Sequence, residues 1–240
     1  MAVARSVRAL VIAAALAATA TIEARAQAAP PPYASMAPVA EYLMPDRAAE
    51  IALARSAAPA AVSGRATILV LGRHGYEQAV AGTNGFVCVV ERSWMSPPDA
   101  WQFWNPHLRG PICYNQSAAR SVLPITIKRT ELVLSGASKQ QMRDRLGAAL
   151  ARGEVPPLEP GAMGYMLSKE GFLDDSAGHW VPHLMLFAPA SDSASWGADL
   201  PGSPVILNPQ LLGAPERIAV FMVPLRTWSD GSPVRSAPEN

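Results

Sequence analysis

The densest concentration of reactive side chains lies between Gly171 and Pro189, Gly-Phe-Leu-Asp-Asp-Ser-Ala-Gly-His-Trp-Val-Pro-His-Leu-Met-Leu-Phe-Ala-Pro. It holds two of the chain's four histidines, an acidic pair and a serine, beside a strongly apolar run. His179 and His183 are four residues apart, a spacing that on a helix stacks two imidazoles on one face for a shared ion. Pro182 stands between them, and an interior proline costs a helix about 3 kcal/mol or more. The run Leu184–Phe187 and the stop at Pro189 instead predict a strand beginning near Trp180. In a strand the two histidines face the same way but lie about 13 Å apart, at about 3.3 Å per residue. One zinc ion cannot span that gap. The spacing therefore predicts neither a metal site nor a cofactor here.

The same stretch offers a hydrolytic set, with Ser176 as nucleophile, His179 or His183 as base, and Asp174 or Asp175 as orienter. Such triads are defined by geometry, and close sequence neighbours rarely meet it. The Gly-x-Ser-x-Gly elbow that exposes a strained serine is absent. Asp, Ser and Gly are also turn formers that bond their own backbone. A turn carrying Asp175, Ser176, His179 and Trp180, with His183 just beyond, can equally line a ligand pocket. These alternatives stay open.

A second candidate region is the aromatic, proline-broken segment Ser93–Asn115, which reads as irregular. Trp94, Trp101, Phe103, Trp104 and Tyr114 stand among Pro97, Pro98, Pro106 and Pro111. Long loops in compact domains are usually functional or disordered, and the area tryptophans bury favours order. The segment reads either as a lid packed on a sheet or as a pocket wall, with Trp94 and Trp104 as apolar surface and His107 and Arg109 as polar groups. His74, at a strand end, is a further ligand-binding candidate, though a turn histidine is more often simply exposed. Cys88 and Cys113 are the only cysteines. Outside the cytoplasm such a pair can oxidise, and closing a loop of about 25 residues contributes ~3 kcal/mol. Two buried thiols are the alternative.

The elements that must position these residues follow from local signals. Asp46 caps a helix that starts at Arg47 and ends before Pro59. Ala66–Leu71, Tyr76–Val80 and Phe86–Arg92 read as three strands joined by tight turns at Arg73-His74-Gly75 and Gly82-Thr83-Asn84-Gly85, an antiparallel meander. Ser117–Ser121 opens a short helix interrupted by Pro124, and Ile125–Leu134 suits either strand or helix. Ser138 with Gln141 forms a capping box for a helix running to Arg152, with Met142, Leu146, Ala149 and Leu150 on its apolar face. Gly161–Ser168, Pro204–Leu207 and Glu216–Leu225 read as strands, Pro224 marking an edge or bulge.

At the N-terminus, residues 1–26 read as an export signal. Arg5 and Arg8 precede an alanine-rich apolar run, and Ala24-Arg25-Ala26 supplies a cleavage pattern. Residues 27–45 form a Pro/Ala-rich linker, 46–228 a single domain, and 229–240 a flexible tail. This organisation predicts a secreted or periplasmic protein. No later stretch reaches the ~18 apolar residues of a spanning helix.

Formal net charge is +1 and no basic cluster occurs, which argues against a nucleic-acid partner. None of Lys128, Lys139 or Lys169 follows a glycine, which excludes a P-loop, and no Gly-x-Gly dinucleotide fingerprint is present.

The order of elements predicts an α+β fold, an antiparallel sheet with helices packed mainly on one face. Over Asp46–Leu225 that order resembles the PAS, GAF and extracytoplasmic Cache sensor domains, and is similarly profilin-like. Their sheet and helices enclose a small-molecule pocket; fold-level likeness carries no functional residues. The phrases Gly82–Trp94 and Asp175–Leu184 resemble those of exported bacterial proteins of unassigned function. The leading expectation is a secreted small-molecule-binding or sensor-like domain, and whether the chain is an enzyme stays open. The alternatives are the hydrolase described above and an envelope structural or interaction protein.

Overall fold

The computed structural model describes residues 32–175, 178–209 and 212–234. The expected export signal, the first five residues of the linker (27–31), Ser176 and the last six residues lie outside them. The described strands form one mixed, mostly antiparallel sheet, and with the helices they make an α+β fold.

The chain enters through α1 (Val39–Tyr42) and α2 (Arg47–Arg55). The Asp46 carboxylate accepts from the Ala48 amide at 2.8 Å, satisfying one of the first-turn donors that a helix leaves unpaired. After α3 (Ala60–Ser63) come β1 (Thr67–Gly72) and β2 (Gly75–Val80), a tight hairpin turning at Arg73-His74. β3 (Val87–Glu91) departs from the expected meander. It returns to the other side of β1 and pairs with it in parallel, Thr67 beside Val87 and Ile68 beside Cys88. Gly82–Gly85 is thus part of a crossover rather than a hairpin turn. β2 becomes the edge strand, as its two exposed central residues, Glu77 and Gln78, befit.

The segment Ser93–Asn115 is not wholly irregular. It contains β4 (Gly110–Tyr114), which pairs antiparallel with β3 along its whole length. Pro111 hid this strand, because proline is rare inside sheets. Cys88 and Cys113 are directly opposed in that pairing and are joined by a disulfide.

Next come α4 (Gln116–Ser121), α5 (Leu123–Leu134) and α6 (Lys139–Ala151). Pro124 does not break a helix; it sits in the first turn of α5, where a missing amide costs no helical hydrogen bond. Both bonds of the Ser138–Gln141 capping box are made. β5 (Met163–Met166), β6 (His183–Pro189), β7 (Ile206–Asn208) and β8 (Ile218–Pro224) complete the order β2-β1-β3-β4-β5-β6-β8-β7. β7 reaches only Val220–Met222, so Pro224 lies beyond it on an open edge. Residues 229–234, expected to belong to a flexible tail, are folded. Residues 226–234 fold back through a Thr227–Pro233 bridge, and Trp228 is buried.

Strand alternation sorts the core into two layers. Val89, Ile112 and Tyr114 face the cluster that holds Leu123, Ile125, Val133 and the buried side of α6. Cys88, Val90 and Cys113 face Ala54 and Ala57, in and just beyond α2. Helices therefore cover both faces, α4–α6 on one and α2 on the other.

Candidate functional site

The face beneath α5 does not pack shut. A cavity of about 90 Å³ opens between α5 and the sheet, lined by Ile112, Val122, Ile125, Phe187, Ile218 and Val220 among others. A neighbouring groove of about 240 Å³ contains Trp180 and His183. The two share Glu91, Met95 and Met185, which places Glu91 at their junction.

Glu91 is the last residue of β3, and alternation turns it toward the cavity while Arg92 turns away. Its Oε1 accepts from the Tyr114 hydroxyl and, at 3.0 Å, from Thr126 Oγ1. Tyr114 reaches it from β4 and Thr126 from α5. Both bonds fall on Oε1; among the described residues none falls on Oε2. Burial raises the Glu91 pKa above the usual carboxylate range, partly opposed by these two donors and by Arg129. The Tyr114 hydroxyl is held well above its usual range by burial and by the adjacent carboxylate, so it stays a donor.

Arg129 crosses the cavity wall from α5. Its Nε donates to Glu216 Oε1 at 2.7 Å, and Nη1 donates to the carbonyls of Trp94, Met95 and Ser96 at 3.1–3.2 Å. The pair is almost fully buried, with side chains 4% and 6% exposed. Glu216 Oε2 is buried without a hydrogen-bond partner among the described residues. The site thus combines apolar walls, one fully engaged cation and two carboxyls with unused acceptor capacity. It can hold a compact ligand; it presents no activated nucleophile.

The residues singled out by sequence disperse. Trp180 and His183 do reach the groove. Trp180 is buried, its six-membered ring laid over Gly171 so closely that a Cβ there would stand 2.6 Å from Cζ2. Its indole N–H has no partner among the described residues. His183 is buried on β6; its Nδ1 lies 2.8 Å from the Val181 carbonyl, and burial lowers its pKa below the usual histidine range. His179 leans instead on Trp228, ring centroids 5.8 Å apart, at the folded-back C-terminal segment. Asp174 pairs with Gly178 in the expected turn. Asp175 accepts from Tyr33, whose pKa it pushes up to about 12, and from Asn105 at 3.4 Å. Asp175 is thus engaged by Tyr33 and Asn105, and Ser176 lies outside the described residues.

Trp94 is wholly buried and donates to Thr130 Oγ1 at 3.0 Å. Trp104 is buried edge-on against Phe103. They belong to the core under the aromatic segment. His107 and His74 are exposed, the latter on the β1–β2 turn. Arg109 donates to the carbonyls of Pro106 and Leu108 at 2.7 and 2.8 Å, and burial together with nearby Arg92 lowers its pKa to about 10. Among the described residues no group of three or more His, Cys, Asp or Glu gathers at a metal-binding distance. None of their helices is long and apolar enough to cross a membrane.

Sequence reasoning missed Glu91, Tyr114, Thr126, Arg129 and Glu216. One signal was present. Glu91-Arg92 places two adjacent charges at the end of an otherwise apolar strand, where each must find a buried partner. Arg129 carries the same signal within the buried face of α5, between Ile125 and Leu132-Val133.

The comparisons add no relative: no family model, no curated protein and no solved structure matches this chain.

Proposed function

We propose that this protein is a secreted small-molecule-binding domain whose ligand enters the chamber between α5 and the sheet. One observation carries the reading: a carboxyl, Glu91, sits at the mouth of an apolar cavity with half of its acceptor capacity unused. Apolar walls with a few convergent polar groups are the usual form of small-molecule sites, and a volume of about 90 Å³ limits the ligand to a small one. Glu91 then fixes orientation, and the aliphatic walls supply affinity by burying apolar surface at about 25 cal/mol per Å². The chemistry favours a compact apolar body bearing one hydrogen-bonding group. Export is supported by the N-terminal sequence and by the Cys88–Cys113 disulfide, a bond that persists in oxidising compartments.

Titrating tryptophan fluorescence with apolar amines, alcohols and amides tests the reading. A saturating response is expected from at least one class, with affinity reduced about tenfold in Glu91→Gln, the loss of one charge-assisted hydrogen bond. A flat response across the panel in the wild-type protein removes the proposal.

A further inference from the structure

The groove beside the cavity has an unusual composition. Of nine methionines in the chain, four line it: Met95, Met166, Met185 and Met222. The sheet register sets three of them on the same face as one imidazole. Met166 on β5 lies directly opposite His183 on β6. Met185, two residues along β6 and on the same face, lies directly opposite Met222 on β8. Directly opposed side chains in such a ladder have Cβ atoms about 5 Å apart, and residues two apart on a strand about 7 Å. Methionine's three rotatable bonds let thioethers at those positions close on a common point.

His183 is in the right form to join them. A carbonyl only accepts, so the 2.8 Å contact with Val181 places the ring proton on Nδ1. Nε2 then keeps its lone pair, and no described residue donates to it. Fixing one ring nitrogen on a backbone carbonyl is how metal-binding histidines are usually oriented.

A methionine can also be mere core filling, as the buried Met142 on α6 is. Met95, Met185 and Met222 differ: they are only partly buried, and they border open space rather than fill it. We propose that this end of the groove binds a soft monovalent metal ion of the copper(I) class, held by His183 Nε2 and the thioethers of Met166, Met185 and Met222. Thioether and imidazole donors select copper(I) over hard divalent ions, which require oxygen ligands. The site uses only one of the two histidines whose spacing drew attention, and its failure would leave the cavity's organic ligand untouched.

The test is competition of the purified chain against bicinchoninate for copper(I), with ascorbate as reductant and the disulfide verified by thiol assay. One equivalent is expected to bind. Silver(I), a redox-silent surrogate, should shift the methyl resonances of Met166, Met185 and Met222 and leave those of Met36 and Met142 in place. Leu replaces Met at nearly constant volume, so Met185→Leu/Met222→Leu should fold normally and weaken copper(I) binding at least about tenfold, as should His183→Gln. Unchanged affinity in the folded methionine variant overturns the proposal. So does a silver(I) response confined to other methionines, or equal competition by zinc(II).

Discussion

Glu91 and Arg92 are neighbours in sequence and opposites in treatment. Arg92 is wholly buried and fully engaged: Nε donates to the Tyr42 carbonyl at 2.7 Å, Nη1 to the Val90 carbonyl and Nη2 to Glu50 Oε1 at 2.8 Å. Glu50 in turn accepts from the Leu71 amide at 3.1 Å. This network ties α2, α1, β1 and β3 together. Glu91 faces the other way, into open volume, with only one oxygen engaged. A buried charge that serves stability is surrounded by partners. A charge left half-satisfied at a cavity mouth is available to something the chain does not itself provide.

That contrast breaks most visibly on the closed side. Arg92→Met removes one partner and strands the Glu50 carboxylate, a change expected to cost 3–5 kcal/mol in denaturant unfolding. Adding Glu50→Leu should recover much of the loss, because an apolar pair often replaces a buried ion pair at little cost. No recovery in the double variant would mean that the network does more than offset its own desolvation. Removing the disulfide on the same face, with Cys88→Ala and Cys113→Ala, should cost about 3 kcal/mol through the freed loop and leave ligand response in the cavity intact. Loss of that response at full folding would contradict the separation of the two layers.

The open side should respond in its pH dependence. Folding raises the Glu91 pKa, so the folded chain holds this proton more tightly than the unfolded chain. The stabilisation is complete below the ordinary glutamate pKa and disappears as pH climbs through the raised value. Glu91→Gln should therefore give a flatter profile of urea midpoint against pH over that interval. Parallel profiles for the two proteins would show that Glu91 titrates normally.

Local chemistry made much of the framework legible. Asp46 before α2 and Ser138 with Gln141 before α6 announce helices within a few residues, and apolar runs bounded by glycine announce β1 and β3. β4 stayed hidden because its evidence is not local. Pro111 speaks against a strand, whereas the pairing of Cys113 with Cys88 and of Ile112 with Val89 is set by partners far along the chain. The site was obscured for the same reason. Histidines and tryptophans draw attention by type, yet Trp94 and Trp104 fill the core and His74 and His107 face solvent. Glu91 gains its character from Tyr114, Thr126 and Arg129, which only the fold assembles. The methionines are spread over three strands, and no sequence spacing links Met166 to Met222.

The contact between Gly171 and Trp180 sets a limit on how this protein can vary. With 2.6 Å between the indole and any methyl group at position 171, the backbone there acts as the bed of a hinge pin, and even alanine would prise the ring from its seat. The indole lines the groove, so any displacement of it alters the groove wall. A single carbon, added outside both cavity and groove, would thereby change what the groove admits.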